Sequence, residues 1–430
     1  MEIEFQYGST GVRFEIPDES HSRVMKANKM SVLKDPVGEI YTKLNNPMNS
    51  QPFDQLLRKK MRNPEDYIII LVDDHTRPIS SKFFLDALSK IFQNHNIGDE
   101  RIKILVAAGL HRKSSLLELK RMLGEEHINR FDILFHDANN EMELEYIGET
   151  SRGTGVYLNT HYVQAAFRIA SGYVEPHFFS GYSGGRKAIV PGIAGKSTIL
   201  RNHSEKNIDS RYARFGILEH NPLHEELVEA TRLLKPDFCI NAIINQNHQI
   251  THIAAGNIFA VHNHLVQIQE RECFREISKL YDIVICGNGG FPLDLNLYQA
   301  VKSMAIGELA CKKQGVIIAV NECRDGVGQE YFNKLNNSGY TPEEIYKNAL
   351  SGKLNIPDIW QIQVMARILM HHTVYIVSSM KESQIGNIGL KHAETVEKAI
   401  KFASKDLQKK MDEISILVLP DGPKVLPKKV

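Results

Sequence analysis

The chain has 430 residues, with 52 Lys+Arg against 51 Asp+Glu, 42% hydrophobic and 8% aromatic residues. A formal net charge of +1 gives no field to draw nucleic acid or anionic lipid, no basic run is long enough to suggest a local groove, and no apolar run approaches the ~20 residues that cross a bilayer. The length is too great for one small core and the composition is that of an ordinary soluble globule, so two domains are expected.

The opening MEIEFQYGSTGVRFEIPDES is acidic and alternating, unlike a secretory signal. YIIILV (67–72), RIKILVAA (101–108) and FDILF (131–135) are continuous apolar runs, the pattern of parallel strands buried on both faces. Helical patterns lie between them, SKFFLDALSKIFQNH (81–95) and SLLELKRMLG (115–124). Strand runs resume at DFCINAII (237–244), YDIVICG (281–287), GVIIAV (315–320), TVYIVSS (373–379) and ISILVLP (414–420), with helices near 296–312, 341–350 and 392–403. A charged, His-rich helix around 257–280 is the expected hinge, and the terminal PDGPKVLPKKV reads as an untidy tail. The alternation predicts an α/β chain of two doubly wound α/β domains, 1–265 and 266–430, with the active site in the cleft between them. Five cysteines, Cys239, Cys273, Cys286, Cys311 and Cys323, are odd in number and widely spread, as reduced thiols of a cytoplasmic protein would be.

The unusual residues fall at strand ends. DDHTRP follows the first strong strand, placing Asp73, Asp74, His75, Thr76 and Arg77 before Pro78. AAGLHR follows the second, with His111 and Arg112 past Gly109, and GNGGFPLD follows YDIVICG. Any one of these could be an ordinary βα turn; three together point to one polar crevice. Of 18 histidines, four have a distinctive context: His75, His111, His177 in GYVEPHFFSGYSGG, and His203 in ILRNHSEKN. Such a group offers acid–base residues near neutrality or metal ligands, although no spacing is a zinc signature. On a helix, Tyr298 and Lys302 are i and i+4 neighbours with Gln299 beside them, a set that suits a carboxylate; the bland alternative is an amphipathic helix with a solvated lysine.

FFSGYSGGRKAIVPGIAGKST (178–198) comes close to a P-loop and fails it. Gly195-Lys196-Ser197 supplies the second half of the motif, but Val190 occupies the first glycine's slot. Counting from Gly181, Arg186 stands where the second glycine belongs. Glycines lack a Cβ and are expected here to let backbone come close to a bound group, and Lys196 is expected to open a helix.

In combination DDHTRP, AAGLHR, EPHFFSGYSGGRKAIVPG, RNH and YQAVK closely resemble the nickel-pincer lactate racemase family of 2-hydroxyacid racemases and epimerases, from about residue 66 to 380. The resemblance implies a Ni(II)-pyridinium-3,5-bisthiocarboxylic acid mononucleotide attached covalently at Lys187, with His203 completing the nickel coordination. It implies His111 and His177 as the catalytic base pair. Asp74, His75, Thr76 and Arg77 would serve as cofactor-phosphate and substrate contacts, with Pro191 bordering the cofactor. Gln299 and Lys302 would face substrate, with Tyr298 as carboxylate partner and Trp360 as an aromatic near the site. The implied partners are a small 2-hydroxy acid and the cofactor-maturation enzymes, with no nucleic acid and no membrane; homo-oligomerisation is left open.

The implied chemistry is coherent. A carbinol hydrogen beside an ionised carboxylate is too weakly acidic for a histidine to remove as a proton, whereas hydride transfer to the cofactor leaves a stable 2-oxo acid. One imidazole takes the hydroxyl proton, and a second returns a proton after the planar acid rotates. Arg77 and Lys302 would anchor the carboxylate. The expected reaction is lactate racemisation, the alternatives being malate, a longer 2-hydroxy acid or a sugar acid. Three rival readings are an NTP-using enzyme, a nicotinamide-dependent dehydrogenase and a non-catalytic cofactor-binding protein. The first fails on P-loop spacing and the second lacks G-x-G-x-x-G with its acidic residue. The third is disfavoured by the presence of both His111 and His177.

Overall fold

The computed structural model describes residues 1–78, 81–354 and 356–430. They form two compact units. One comprises Lys29–His203 and Ser210–Glu270, the other Met1–Asn28, Ser204–Asp209 and Arg271–Val430.

The first unit is built on a six-stranded sheet in the order Ile250–Gly256, Phe238–Ile244, Phe167–Tyr173, Ile68–Val72, Ile102–Val106, Asp132–Phe135. All pairings are parallel except the edge hairpin of the first two. Every residue of Ile68–Val72 is buried, as its uninterrupted apolar sequence requires of a central strand with both faces covered. Phe53 fixes a helix to the sheet by packing edge-on to Phe238 at 5.1 Å and against Phe167 at 5.4 Å. The strand order runs outward from Ile68–Val72 to Asp132–Phe135, then restarts on its other side with Phe167–Tyr173. That reversal is where a crevice opens beyond the carboxyl ends of a doubly wound sheet.

The second unit carries an all-parallel sheet in the order Lys391–Ala393, Thr373–Val377, Cys311–Val320, Tyr281–Gly287, Ser415–Leu419, His21–Val24. Here the order reverses between Tyr281–Gly287 and Ser415–Leu419. The predicted doubly wound α/β class is therefore present in both units.

Three sequence expectations need correcting. The N-terminal 28 residues do not fold with the half that follows them. His21–Val24 pairs with Ser415–Leu419, and the hairpin Glu2–Phe5/Val12–Glu15 buries Phe5, Phe14 and the following Ile16 in the core of the C-terminal sheet. The tail is ordered: Leu426–Lys429 pairs in parallel with Phe274–Ile277, and Val425 and Leu426 are fully buried. Phe167–Tyr173, beside the central strand, lies outside the expected strand runs, because its sequence FRIASGY breaks the apolar pattern with arginine, serine and glycine. The helix expected as a hinge is Ile258–Cys273, and the division between units falls at 270/271 within it. All five cysteines are buried and free, and no helix among the described residues is long and apolar enough to cross a membrane.

Candidate active site

Two strand ends at the reversal of the first sheet carry the densest polar cluster. Chain leaving Ile68–Val72 turns at once, with the Arg77 amide donating to the Asp74 carbonyl at 3.1 Å. Asp74 Oδ1 accepts from the Thr76 amide (2.9 Å) and hydroxyl (2.6 Å), which locks the carboxylate in place. Its other oxygen, Oδ2, lies 2.5 Å from His111 Nδ1. Burial alone would raise the Asp74 carboxyl, but the His111 ring that hydrogen-bonds it and the Arg77 charge outweigh burial and hold the group well below the usual carboxylate range. An ionised carboxylate only accepts, so His111 Nδ1 is the donor and the basic lone pair sits on Nε2. His75 is buried and faces Ser114 Oγ at 3.1 Å, and burial lowers its pKa.

Asp73 is the residue whose importance the sequence did not reveal. Its Oδ2 is buried without a hydrogen-bond partner among the described residues. Burial pushes its carboxyl up to about 7, against the pull of Arg77. Burial also opposes the Arg77 charge, but Tyr173, Asp74, Asp73 and Glu175 more than restore it, so Arg77 stays a cation. Tyr173, ending the neighbouring strand, donates to Glu175 at 2.6 Å. The DDHTR and YVEPH segments thus form one electrostatic cluster across two adjacent strands.

His177 is buried, and its Nδ1 accepts from the Phe179 and Ser180 amides at 3.5 and 3.4 Å. In the neutral ring the proton therefore sits on Nε2, the opposite tautomer to His111. Phe179 is the hub of this segment. Its ring lies 4.5 Å from His177, 5.3 Å from His203 and 5.6 Å from Lys187 Nζ. Lys187 also donates to Ser180 Oγ at 3.2 Å. Burial, with Lys187 adding to it, pushes His203 down to about 3, so it is the neutral imidazole that a metal ion requires. Phe179 and Ser180 lay inside a motif whose glycines and lysines drew the attention.

Those glycines have a different purpose from the one expected. A Cβ on Gly184 (φ +71°) would sit 2.7 Å from the Tyr173 carbonyl, and one on Gly181 (φ +76°) 2.3 Å from the Ile217 carbonyl. The chain's own backbone fills the space, so the glycines serve folding of the loop and not close approach to a ligand. Lys196 opens the helix Lys196–Asn202, as its P-loop failure implied. Pro191 follows a cis peptide bond and packs on the GLHR loop, where the Gly109 amide donates to the Gly192 carbonyl at 3.0 Å. Arg112, by contrast, turns outward to pair with Glu118 at 2.7 Å.

In the second unit the helix Leu297–Glu308 starts at an Asn296 cap that accepts from the Gln299 amide at 3.0 Å. Tyr298 and Gln299 are buried and Lys302 is half-buried, which excludes the bland solvated-lysine helix. Trp360 donates to the Tyr298 hydroxyl at 3.1 Å, and Phe332 packs edge-on to the Tyr298 ring at 5.5 Å.

Among the described residues no group of three or more His, Cys, Asp or Glu side chains could hold a metal ion. A metal at His203 would need its remaining donors from a bound ligand. The residues fit such a ligand: a neutral buried imidazole and a lysine amine share one aromatic neighbour, and the buried Asp73 Oδ2, beside the Arg77 charge, has no hydrogen-bond partner among the described residues.

The lactate racemase N-terminal domain model matches residues 7–216 and the lactate racemase C-terminal domain model matches residues 277–426. A lactate racemase of Thermoanaerobacterium thermosaccharolyticum is 35% identical over 433 residues, covering 99% of this chain and 98% of that one. A lactate racemase of Lactiplantibacillus plantarum is 34% identical over 433 residues and covers 98% of both chains. The solved lactate racemase apoprotein of T. thermosaccharolyticum superposes with a TM-score of 0.89 at 34% identity over all of both chains. A Thermotoga maritima protein, 16% identical with a TM-score of 0.67 over 94% of this chain and 100% of that one, shares the fold alone. Matched in both domains and along its length at about a third identity, this chain belongs to the lactate racemase family.

Proposed function

We propose that the chain interconverts D- and L-2-hydroxy acids, lactate foremost, with His111 and His177 as its two proton-transfer groups. The observation that carries this reading is the pair of opposite tautomers: His111 donates from Nδ1 to Asp74, while His177 accepts at Nδ1 from backbone amides. His111 thus offers a base at Nε2, while His177 presents an N–H there and serves as the acid when it carries a second proton in place of the long amide contacts at Nδ1. A racemase needs both, since the proton taken from one face of the carbinol must be returned at the other, and the roles exchange when the reaction runs backward.

Lys187 would tether the mononucleotide cofactor, His203 would ligate its nickel, and Asp74, His75, Thr76, Arg77 and Pro191 would border it. When bound, that group supplies an electrophilic ring carbon able to take hydride from the carbinol carbon. The chain's own part is binding and proton traffic. Arg77 holds the substrate carboxylate, its planar fork suited to two oxygens. His111 Nε2, kept in orientation by Asp74, would take the hydroxyl proton, and His177 in its protonated form would give a proton to the carbonyl oxygen once the 2-oxo acid has turned over. Tyr298, Gln299 and Lys302 are the proposed substrate contacts of the second unit. The proposed setting is the cytoplasm, with the cofactor-maturation enzymes as partners.

The test is intact mass and nickel content of protein produced alongside those enzymes, with peptide mapping across residues 174–203. A mononucleotide-sized adduct on Lys187 with one nickel per chain, followed by racemisation of lactate in a chiral assay, is expected. Activity on malate, a longer 2-hydroxy acid or a sugar acid in place of lactate would keep the mechanism and change the substrate. An unmodified, nickel-free Lys187, under conditions where a known lactate racemase matures, would overturn the reading. His111→Ala and His177→Ala are each expected to lower kcat by about 10²–10⁴-fold.

A further inference from the structure

Next to Lys187 in the same short turn, Gly185–Ala188, stands a buried cation that the proposed chemistry does not use. Arg186 is 1% exposed. Its guanidinium donates to the carbonyls of Ser183, Gly184 and Ser180 at 3.3, 3.2 and 2.9 Å. Its fourth partner is His262 Nε2 at 2.8 Å. No carboxylate is among these partners, and Nε has no hydrogen-bond partner at all among the described residues. Removing a guanidinium from water without a counter-charge is costly.

Arg186 lines a cavity of about 200 Å³ together with His224, Arg232, Phe259, His262 and Asn263. Arg232 stands over the Phe259 ring at 5.6 Å, and the two imidazoles lie stacked 6.2 Å apart. The cavity wall therefore offers two guanidinium groups, two imidazoles and an amide, with no acid. Acidic residues do occur on the helix Pro222–Leu233 that supplies His224 and Arg232, but they are engaged elsewhere. Glu225 pairs with Arg152, Glu226 accepts from Thr150, Thr154 and Asn202, and Glu229 holds Ser151. Burial, with Arg186 adding to it, pushes His224 down to about 3, so that imidazole is neutral and supplies no counter-charge. His262 Nε2 also lies 3.1 Å from the Ser183 carbonyl. One nitrogen cannot both accept from Arg186 and donate to that oxygen. Arginine always keeps its protons, so Nε2 accepts and His262 carries its proton on Nδ1.

We propose that this cavity is a binding site for a small oxyanion, a phosphate or a carboxylate, whose occupancy orders the turn that presents Lys187. A single water takes up ~30 Å³ of liquid, so the space accommodates a phosphate-sized group with part of its hydration. The bound anion supplies the missing counter-charge to Arg186, with the Arg232 guanidinium on the same cavity wall as the charge-assisted donor. Because Arg186 and Lys187 are consecutive, fixing one guanidinium fixes the turn that carries the amine. The site needs neither the cofactor nor the racemase reading.

The experiment uses the full chain made without cofactor-maturation enzymes, titrated with inorganic phosphate or with lactate, against potassium chloride at equal ionic strength. Thermal unfolding and hydrogen exchange over residues 180–192 are read together. The expected result is a saturable rise in Tm beyond the chloride control, with increased amide protection across that segment. In the His224→Gln/Arg232→Gln double variant the apparent Kd should weaken at least tenfold. Should that variant unfold without cooperativity, Arg232→Gln alone, a change at an exposed residue, carries the same comparison. A response to phosphate identifies a free phosphate as the occupant, and a response to lactate alone identifies a carboxylate of the substrate class. No rise above chloride, or a rise that the variants leave undiminished, overturns the proposal.

Discussion

At the scale of single residues the site depends on which proton each side chain holds. The short contact between Asp74 and His111 fixes the His111 proton on Nδ1. An amide at position 74 can instead donate to the ring, which would turn it over and place the proton on Nε2, where the base is needed. Asp74→Asn is therefore expected to lower kcat by about 10²–10⁴-fold, with KM and cooperative unfolding little changed, in chiral assays of the cofactor-loaded enzyme. Asp73 makes a different prediction, one about stability. Burial raises its carboxyl from the ordinary 3.8 to about 7. Between these values the folded state binds more protons than the unfolded state, so stability falls as pH rises through that window and levels off above 7. Asp73→Asn removes the term. The stability of this variant relative to the parent should increase by about 2–3 kcal/mol between pH 5 and pH 8. The buried His203 titrates with the opposite sign, its stabilising contribution being lost as pH falls from 6.5 towards about 3. Comparing parent and variant cancels that contribution, and a flat difference in denaturant titrations across pH 5–8 would refute the Asp73 assignment.

At the scale of elements, the loop between His177 and Pro191 is held by its glycines. Gly184 combines φ +71° with ψ −176°, a region essentially closed to other residues, and its missing Cβ would overlap the Tyr173 carbonyl. Gly184→Ala is expected to destabilise the protein by about 2–4 kcal/mol through strain and overpacking. Gly339 has a similar φ, +77°, with nothing within 4 Å of its Cβ position. Gly339→Ala should therefore cost only about 1–2 kcal/mol, and equal losses in urea unfolding would contradict the steric account. This loop also shows where sequence reading reaches its limit. The apolar runs disclosed the buried parallel strands within a few residues, because a strand covered on both faces cannot hide its composition. The motif residues at strand ends were legible for the same reason, since a polar cluster after such a strand has few structural purposes. Phe167–Tyr173 was not legible: its Ser171 hydroxyl is satisfied by the Leu71 carbonyl at 2.7 Å, a bond that only the neighbouring strand can supply. Nor was the role of Phe179, whose ring joins His177 and Lys187 of its own loop to His203 at the end of the following helix. The glycines were noticed, but their cause was another stretch of backbone, and contacts of that kind leave no local trace.

At the scale of the whole molecule, the chain does not divide into an N-terminal and a C-terminal half. Met1–Asn28 belongs with Arg271–Val430, and Ser204–Asp209 joins them, the Glu205 carbonyl accepting from Gln363 at 2.9 Å. The second sheet thus closes only when Ser415–Leu419 is available to pair with His21–Val24, a strand almost four hundred residues earlier in the chain. Long-range pairing of this kind carries a loop-closure cost that local contacts do not. The dependence should be one-sided. Deleting residues 1–28 removes the edge strand and the hairpin that buries Phe5 and Phe14, while every strand pairing of the first sheet is retained. Hydrogen exchange should then show amides of 415–419 losing protection by at least tenfold, with those of 68–72 unchanged. The opposite pattern, or equal loss in both sheets, would mean that the first 28 residues stabilise the half that follows them in sequence. Because Tyr298, Gln299 and Lys302 stand on the helix that follows the Tyr281–Gly287 strand of the same sheet, the truncated chain should also raise KM for the hydroxy acid. Attachment at Lys187, which lies in the other unit, should continue.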